Sequence, residues 1–304
     1  MPDETTAPPP DDDLGTADLA ALSRPRIDAR VEIGAATHPG RVRPNNEDNF
    51  FVARLAKAMT ILHSSLPDPE SARSAEQGYL MVVADGMGGA AAGERASALA
   101  VRTVEAFALD ALKWFLHLGK QEERELLDEL KQAIERADRN VIERAMADPA
   151  LLGMGTTLTM AYSVGVDLYL VHAGDSRAYL YRDGELIQVT NDHTLVQMLV
   201  DGGALTPEAA RHHHRRNVVT NVIGGPQAGV KAEVHKVSVR DGDVLLLCTD
   251  GLTEMVPDPA IAAALAAAPD PEAAAARLRD LALDGGGADN VTVIVARYHV
   301  NRGA

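Results

Sequence analysis

The sequence predicts an α+β domain, in which a sandwich of two antiparallel β-sheets is flanked by helices. Three observations predict it. Short apolar runs with period-two alternation recur along the chain, and some are joined by hairpin signals such as Asp183-Gly184. Two segments with helical periodicity separate the strand-rich regions. Strands joined by hairpins form antiparallel sheets, and the helices then cover the outer faces of the two stacked sheets.

The composition limits the class of protein. The chain has 304 residues, of which 46% are hydrophobic, so a sizeable core is expected. Its net charge of −15 argues against sequence-independent binding to nucleic acid or to anionic membranes. No apolar run reaches the length of a membrane span, no signal peptide is visible, and the lone Cys248 excludes an internal disulfide. We therefore expect a cytoplasmic protein without a membrane span, and a monomer.

The first part of the chain divides into a tail and the start of a domain. Residues 1–28 are rich in proline and acidic side chains, which predicts a disordered tail. From residue 29, Val31, Ile33 and Ala35 alternate with polar or small residues, and the predicted domain extends to residue 300. The next predicted elements are strands at 48–55 and 78–84, a loop at 64–74, and helices at 93–109 and 122–146.

The second part of the chain also contains predicted short strands and helices. Four short strands are predicted as one meander, at 156–162, 168–173, 177–181 and 186–190. A helical stretch at 193–200 follows. The remaining predicted elements are strands at 231–239 and 244–247, helices that start at Pro259 and Pro271, and a final strand at 291–298.

Several aspartates occur where apolar strands begin or end. Asp85, Asp175 and Asp250 follow such strands, Asp289 precedes the last one, and Asp48 opens another. Any one of these residues is explained by a turn or a helix cap. Together, however, carboxylates that converge on one sheet edge repel one another unless a cation lies among them. Hard oxygen ligands suit Mg²⁺ or Mn²⁺, so the set favours a metal site.

The segments that contain these residues resemble the protein phosphatase 2C family, the metal-dependent Ser/Thr phosphatases, in its bacterial form. The resemblance extends from Arg43 to Val295. Its motifs are Arg43-Pro44-Asn45-Asn46-Glu47-Asp48, Val83-Ala84-Asp85-Gly86-Met87-Gly88-Gly89, Gly153-Met154-Gly155-Thr156-Thr157, Gly174-Asp175-Ser176-Arg177, Thr249-Asp250-Gly251-Leu252 and Asp289-Asn290. The ordered set is specific, although no motif suffices alone.

The resemblance implies a centre with two core Mn²⁺ or Mg²⁺ ions. By this resemblance Asp85 would bridge both ions and the Gly86 carbonyl would ligate one of them, while Asp250 and Asp289 would ligate the other. A third, weaker ion is implied at Asp175, with help from Asp250.

Two further side chains are assigned by the same resemblance. Asp48 would hold metal-bound waters, and Arg43 would grip the substrate phosphate, for which a planar guanidinium is well suited. The segment at about 201–216, called the flap below, would lie beside the active site. Its His212-His213-His214 run is flanked by arginines, which repel a cation, so we interpret it as a basic surface rather than a metal site.

The implied activity is hydrolysis of phosphoserine and phosphothreonine, which would counteract bacterial Ser/Thr kinases. Two cations about 4 Å apart lower the pKa of a bridging water, so hydroxide is available to attack phosphorus. The expected partners are phosphorylated Ser/Thr proteins and the pathway of a cognate kinase. A cysteine phosphatase is disfavoured, because the residue six positions after Cys248 is Glu254 rather than arginine.

Two departures from the family pattern leave an alternative open. Ala90 stands where bacterial members commonly have histidine, and Asn221 stands where arginine is usual. The alternative function is a pseudophosphatase or a phosphoprotein-binding signalling module. With Ala90 in place, the leaving group would receive its proton from water or from His193, for which a structural hydrogen bond is the competing role.

Overall fold

The computed structural model describes residues 28–59, 63, 72–88, 92–110, 120–225 and 229–301. Residues 1–27 of the predicted acidic tail, residues 64–71 of the predicted loop and Ala90 lie outside these residues, whereas Asp28 belongs to β1 and residues 72–74 to β3. The described strands are β1 (Asp28–His38), β2 (Asp48–Met59), β3 (Ala72–Met87), β4 (Gly155–Thr156), β5 (Leu158–Val164), β6 (Asp167–Ala173), β7 (Arg177–Arg182), β8 (Glu185–Gln188), β9 (Ile223–Gly224), β10 (Glu233–Ser238), β11 (Val244–Cys248) and β12 (Val291–Asn301). The described helices are α1 (Ala92–Asp110), α2 (Lys120–Ala147), α3 (Leu195–Asp201), α4 (Pro207–Arg211), α5 (Asp250–Thr253), α6 (Asp258–Ala267) and α7 (Pro271–Asp284), with a 3-10 turn at Pro149–Leu151.

The strands form two antiparallel sheets. The first has the order β1-β12-β11-β7-β8. The second has the order β10-β6-β5-β3, where β2 pairs with β3 and the short β4 and β9 extend one end of β3. The pairing of β1 with β12 joins the two ends of the described chain in one sheet.

Alternation along the central strands produces three apolar layers. On β3, Tyr79, Met81 and Val83 pack between the two sheets, whereas the residues between them face α1 and α2. On β11, Leu245 and Leu247 join the layer between the sheets, and their neighbours pack against the helices that follow. Both faces of each sheet are therefore covered. The predicted sandwich of two antiparallel sheets with flanking helices is confirmed.

The prediction of a single meander is wrong. β6 belongs to the second sheet and β7 to the first, so the turn between them, at Gly174 to Ser176, carries the chain from one sheet to the other. The strand predicted at 156–162 is also interrupted. At Thr157 the backbone N–H bonds the carbonyl of Asp85 at 2.8 Å instead of continuing the ladder, which separates β4 from β5. Both corrections concern polar residues beside candidate aspartates: Thr157 bonds Asp85, and Ser176 follows Asp175.

Local signals account for the helix boundaries. Thr194 caps α3 by accepting a hydrogen bond from the backbone N–H of Gln197, so this helix starts two residues later than predicted. Thr206 caps α4 in the same way and is followed by proline at the first helical position. In α2, residues at helical spacing, such as Leu126, Leu130 and Ile134, are fully buried. Among the described helices, none combines the length and the apolar character that a membrane crossing needs.

Candidate metal centre

The predicted site residues come together at one edge of the sandwich. The end of β3, the turn after β6, the start of α5 and the two residues before β12 surround an open cleft of about 400 Å³. The cleft is lined by six of the seven candidates, namely Arg43, Asp85, Gly86, Asp175, Asp250 and Asp289. The seventh, Asp48, is buried and pairs directly with Asp85 across β2 and β3.

The hydroxyl of Thr249, which is distant in sequence, holds Asp48. Its Oδ2 accepts a hydrogen bond of 2.8 Å from Oγ1 of Thr249, the residue before Asp250. The same Thr249 hydroxyl accepts a hydrogen bond from the backbone N–H of Thr292 on β12. Oδ1 of Asp48 is buried and has no hydrogen-bond partner among the described residues. The carboxylate is thus fixed in orientation, with one oxygen unsatisfied.

Two threonines fix the backbone of Asp85. The Thr157 hydroxyl accepts a hydrogen bond of 2.9 Å from the Asp85 N–H, and the Thr156 hydroxyl donates one of 2.8 Å to its carbonyl. The Thr157 hydroxyl also lies 2.8 Å from that of Ser176, beside Asp175. One buried side chain therefore connects Asp85, near the end of β3, with the turn that contains Asp175.

The position after Asp85 requires glycine. A Cβ atom on Gly86 would lie 2.1 Å from the carbonyl oxygen of Gly93 in α1, far inside van der Waals contact. This close approach brings the start of α1 against the end of β3. The Gly86 backbone can therefore line the cleft beside Asp85.

On the opposite side, Arg43 and Asp289 form an ion pair. Nη2 of Arg43 lies 2.6 Å from Oδ2 of Asp289, and the arginine side chain is 56% exposed. Asn290 holds the loop that contains Arg43. Its amide donates to the carbonyls of Pro39 and Asn45, and its Oδ1 accepts from the N–H of Glu47.

The electrostatics of the cleft are strongly acidic. Five carboxylates line it, against the lone cation Arg43 among the described lining residues. Burial, followed by repulsion from neighbouring carboxylates, raises the pKa of Asp85 well above its usual range. Burial is also the main cause of the raised pKa of Asp48, Asp175 and Asp250. Negative charge is concentrated here at a cost that bound cations would offset.

The donor set fits hard divalent cations. The available ligands are carboxylate oxygens and the backbone of Gly86, which are the donors that Mg²⁺ and Mn²⁺ take. Oδ1 of Asp250, like Oδ1 of Asp48, is buried without a hydrogen-bond partner among the described residues. Unsatisfied buried oxygens in an acidic cleft are expected where a cation or its water shell belongs.

The other candidates lie apart from the cleft lining. His193 accepts a hydrogen bond of 3.1 Å at Nδ1 from the N–H of Gly174, so it has the structural contact that competed with a role as proton donor. His212 to His214 lie in the partly helical flap, and Asn217 and Val219 just beyond it line the cleft. Cys248 is buried in β11, and burial raises its pKa to about 12.

Sequence reasoning assigned no role to Thr157, Thr249 or Asn290. Each of them holds a candidate residue or its loop through a hydrogen bond that is long-range in sequence. The signal available was their place inside motifs of the resemblance, beside the aspartates.

Comparisons with known proteins identify the family of this chain. A family model described as Protein phosphatase 2C matches residues 67–281. The serine/threonine protein phosphatase PstP of Mycobacterium tuberculosis is 39% identical over 272 residues, which are 89% of this chain and 46% of PstP. The chain thus spans about half the length of that relative. The serine/threonine phosphatase stp of Listeria welshimeri is 33% identical over 264 residues, which cover 87% of this chain and 94% of stp.

Solved structures give the same result. A crystal structure of M. tuberculosis PstP/Ppp superposes with a TM-score of 0.72 at 38% identity, covering 88% of this chain and 99% of that one. The PstP catalytic domain in complex with two manganese ions gives a TM-score of 0.70 at 36% identity, with 89% and 99% covered. With a family model that matches most of the chain, and with relatives at 39% and 33% identity, this chain belongs to the protein phosphatase 2C family.

Proposed function

We propose that this chain is a Mg²⁺/Mn²⁺-dependent phosphoprotein phosphatase that hydrolyses phosphoserine and phosphothreonine. One observation carries the proposal: Asp85, Asp175, Asp250 and Asp289 converge on one cleft with Arg43 at its side. The names of the relatives from M. tuberculosis and L. welshimeri support the reaction class. The PstP catalytic domain with two manganese ions supports the choice of cofactor.

In this proposal different residues of the cleft would hold different cations. Asp85 and the Gly86 backbone would hold one core ion, Asp85 with Asp250 and Asp289 would hold the other, and Asp175 would hold a weaker third. When bound, such cations supply Lewis-acid activation of water and of the phosphoryl oxygens. Thr156 and Thr157 keep Asp85 in place, because both hydrogen-bond its backbone.

Arg43 orients the substrate. Its guanidinium is more than half exposed, so it can reach a phosphate that enters the cleft and give it paired hydrogen bonds. In the structure it is paired with Asp289. A cation at Asp289 would compete for that carboxylate, which leaves the guanidinium available to the phosphate.

Asp48, the strand partner of Asp85, would hold water next to the cleft. Because Thr249 occupies its Oδ2, Oδ1 remains free to accept a hydrogen bond and to orient the attacking water. The described lining residues include no histidine or lysine. The proton for the leaving alkoxide therefore comes from water in this proposal.

The proposed domain covers residues 29–300, after an acidic tail at 1–28, with the flap at about 201–216. Support comes from the pairing of β1 with β12, which closes one sheet with both ends of the described chain. The expected partners are phosphorylated proteins of a Ser/Thr kinase pathway, and the chain is proposed to act as a monomer in a reducing cytoplasm. A phosphoprotein-binding module without chemistry is disfavoured, since every predicted cation ligand lines the cleft.

The test uses purified chain and a phosphothreonine peptide. Phosphate release should require added Mn²⁺ or Mg²⁺, and the Arg43→Ala variant should raise KM at least about 10-fold with a smaller effect on kcat. Arg41→Ala is the matched control, because Arg41 is equally exposed and bonds Asp284 on α7 instead of Asp289. Tight peptide binding without metal-stimulated phosphate release would instead establish the binding module.

A further inference from the structure

His193 lies between two segments that border the cleft. One is the turn that contains Asp175: the His193 N–H donates to the carbonyl of Gly174 at 2.7 Å, and the Gly174 N–H donates back to His193 Nδ1 at 3.1 Å. The other is the chain that follows the flap. The N–H and hydroxyl of Thr220 both donate to the His193 carbonyl, at 2.7 and 3.0 Å. One histidine thus contacts both segments through its backbone.

The side chain of Asn221 adds a second connection and fixes the state of Nδ1. Its Oδ1 accepts from the N–H of Lys231 at 2.9 Å, and its Nδ2 donates to the carbonyl of Lys231 at 2.8 Å. These two contacts set the orientation of the amide, because the reverse would oppose like groups. The Nδ2 group therefore also donates to His193 Nδ1, 2.9 Å away. A proton on Nδ1 would face two N–H donors, so Nδ1 is the unprotonated nitrogen.

The other ring nitrogen faces a fixed carboxylate. Nε2 of His193 lies 3.0 Å from Oε2 of Glu233 on β10, which is buried without another partner among the described residues. Oε1 of Glu233 accepts from the Asn191 amide at 2.8 Å and contacts His235. A proton on Nε2 would face this buried oxygen at ion-pair distance. Glu233 therefore selects the tautomer that leaves Nδ1 free to accept.

These residues do not form a further metal site, although His172, His193 and Glu233 bring their donor atoms within 4.8 Å of one another. The rings of His172 and His193 are stacked with centroids 4.8 Å apart, so their nitrogens do not converge on one point. Both nitrogens of His172 are also occupied, by the hydroxyl of Thr159 and the carbonyl of Asn191. The cluster is a hydrogen-bonded support behind the cleft.

The supported turn has little room to adjust. Gly174 has a φ of +122°, and a Cβ atom there would lie 2.5 Å from Cβ of Thr157, the residue that also holds Asp85. Because the turn is packed against Thr157 on one side and bonded to His193 on the other, its position depends on both neighbours. Asp175 itself lines the cleft, whereas His193 is not among the lining residues.

We propose that His193 is a positioning residue whose Nδ1 acceptor couples the Gly174-Asp175 turn to the end of the flap through Asn221. Asn221 belongs to this hydrogen-bond network, since its short side-chain amide reaches both His193 and Lys231. The inference rests on the proposed function, because the turn is useful to catalysis only if Asp175 serves there. It adds a role for a residue outside the cleft and for the asparagine that departs from the family pattern.

Two variants separate the roles of the nitrogens. His193→Asn keeps an acceptor near the place of Nδ1, whereas His193→Gln keeps a polar group near Nε2 and loses the acceptor for Gly174. With a phosphothreonine peptide and Mn²⁺, we expect His193→Gln to lower kcat about 10-fold at similar KM, and His193→Asn to stay within about 3-fold of wild type. His235→Gln, which contacts the same Glu233 but not the turn, is the matched control and should behave like wild type.

A measurement without turnover keeps the inference separate from the proposed function. Nitrogen-15 NMR of the metal-free chain at neutral pH should show His193 with Nδ1 unprotonated and Nε2 protonated. Calorimetric titration with Mn²⁺ should show that His193→Gln weakens the weak binding phase and leaves the tight phase unchanged. If His193→Gln does not fold, Asn221→Ala removes one donor to Nδ1 and should lower kcat in the same direction.

The outcomes are distinct. A protonated Nδ1 in the wild-type chain, or wild-type kcat and metal titration in His193→Gln, would overturn the inference even if Mn²⁺-dependent turnover is established. Absence of metal-dependent turnover in the wild type would overturn the proposed function. In that case the tautomer of His193 seen by NMR, and the weak phase of the Mn²⁺ titration, still decide whether His193 positions the turn.

Discussion

Asp48 and Asp85 are direct partners across the antiparallel pair of β2 and β3, where Asp85 lines an acidic cleft and Asp48 is buried beside it. Directly opposed residues of antiparallel strands project to the same face of the sheet, where like charges repel. Asp48 is buried and one of its oxygens has no hydrogen-bond partner among the described residues. The fold therefore places the negative charges of Asp48 and Asp85 close together. Their repulsion lowers the stability of the metal-free chain, and the same charges favour the binding of a cation.

That opposition predicts a trade-off at Asp48. In the metal-free chain at pH 8, Asp48→Asn removes a repelled buried charge and should raise the free energy of unfolding by about 1 kcal/mol, while it lowers Mn²⁺-dependent turnover at least about 10-fold. Denaturant unfolding and steady-state kinetics measure the two effects. Asp243→Asn is the control, because Asp243 is equally buried but paired with Arg182, so its loss should destabilise. A destabilised Asp48→Asn variant would contradict the account.

Asp175 should be separable from the core pair. Asp175→Ala should retain tight binding of two ions and a normal fold, yet lose most of the activity, because an ion there has few fixed protein ligands and binds weakly. Calorimetric titration with Mn²⁺ and kinetics of the same preparation measure both properties. A variant that is less stable but fully active would show that Asp175 only shapes its turn.

Asn290 should matter for stability through the loop that contains Arg43. Asn290→Ala removes three hydrogen bonds at a buried position and should lower the free energy of unfolding by about 2–3 kcal/mol. Asn140→Ala removes one bond at an exposed site, to Thr103, and should cost less than about 1 kcal/mol. Denaturant titration compares them, and equal costs would mean that the Asn290 bonds add nothing.

His172 should give the fold an acid-sensitive component. Burial, with a contribution from the adjacent His193, lowers the pKa of His172 to about 4, whereas an unfolded histidine titrates near 6.5. Between these values the unfolded chain binds a proton that the folded chain does not, so stability rises with pH through the window. The contribution is complete above about pH 6.5 and lost toward pH 4, at most about 3 kcal/mol.

The comparison is with His172→Gln. Free energies of unfolding at pH 4.5 and 7 should differ more in the wild type than in this variant, because other groups titrate in both. His214→Gln, an exposed flap variant, should keep the wild-type profile. Parallel profiles for wild type and His172→Gln would exclude His172 as the source of the acid sensitivity.

Local pattern predicted the fold class and the candidate site residues, but not their supports. Apolar runs bordered by aspartate identify both the strands and the candidate cation ligands. The run itself predicts the strand, and the aspartate beside it lies at the end of that strand, at the edge of the sheet. Contacts such as Thr249 with Asp48 join residues 201 positions apart, and sequence spacing contains no information on such pairs. The meander prediction was wrong for the same reason: the hairpin signals around β6 and β7 do not specify which sheet each strand joins.

The central claim is that the carboxylate cluster holds a pair of catalytic divalent cations through Asp85. Calorimetric titration of the metal-depleted chain with Mn²⁺ tests it most directly, with Asp85→Asn as the variant and Asp183→Asn, an exposed aspartate at the hairpin between β7 and β8, as the matched control. We predict two tightly bound ions for the wild type and for Asp183→Asn, and loss of tight binding in Asp85→Asn. An Asp85→Asn variant that binds the same number of ions with the same affinity as the wild type would contradict the account.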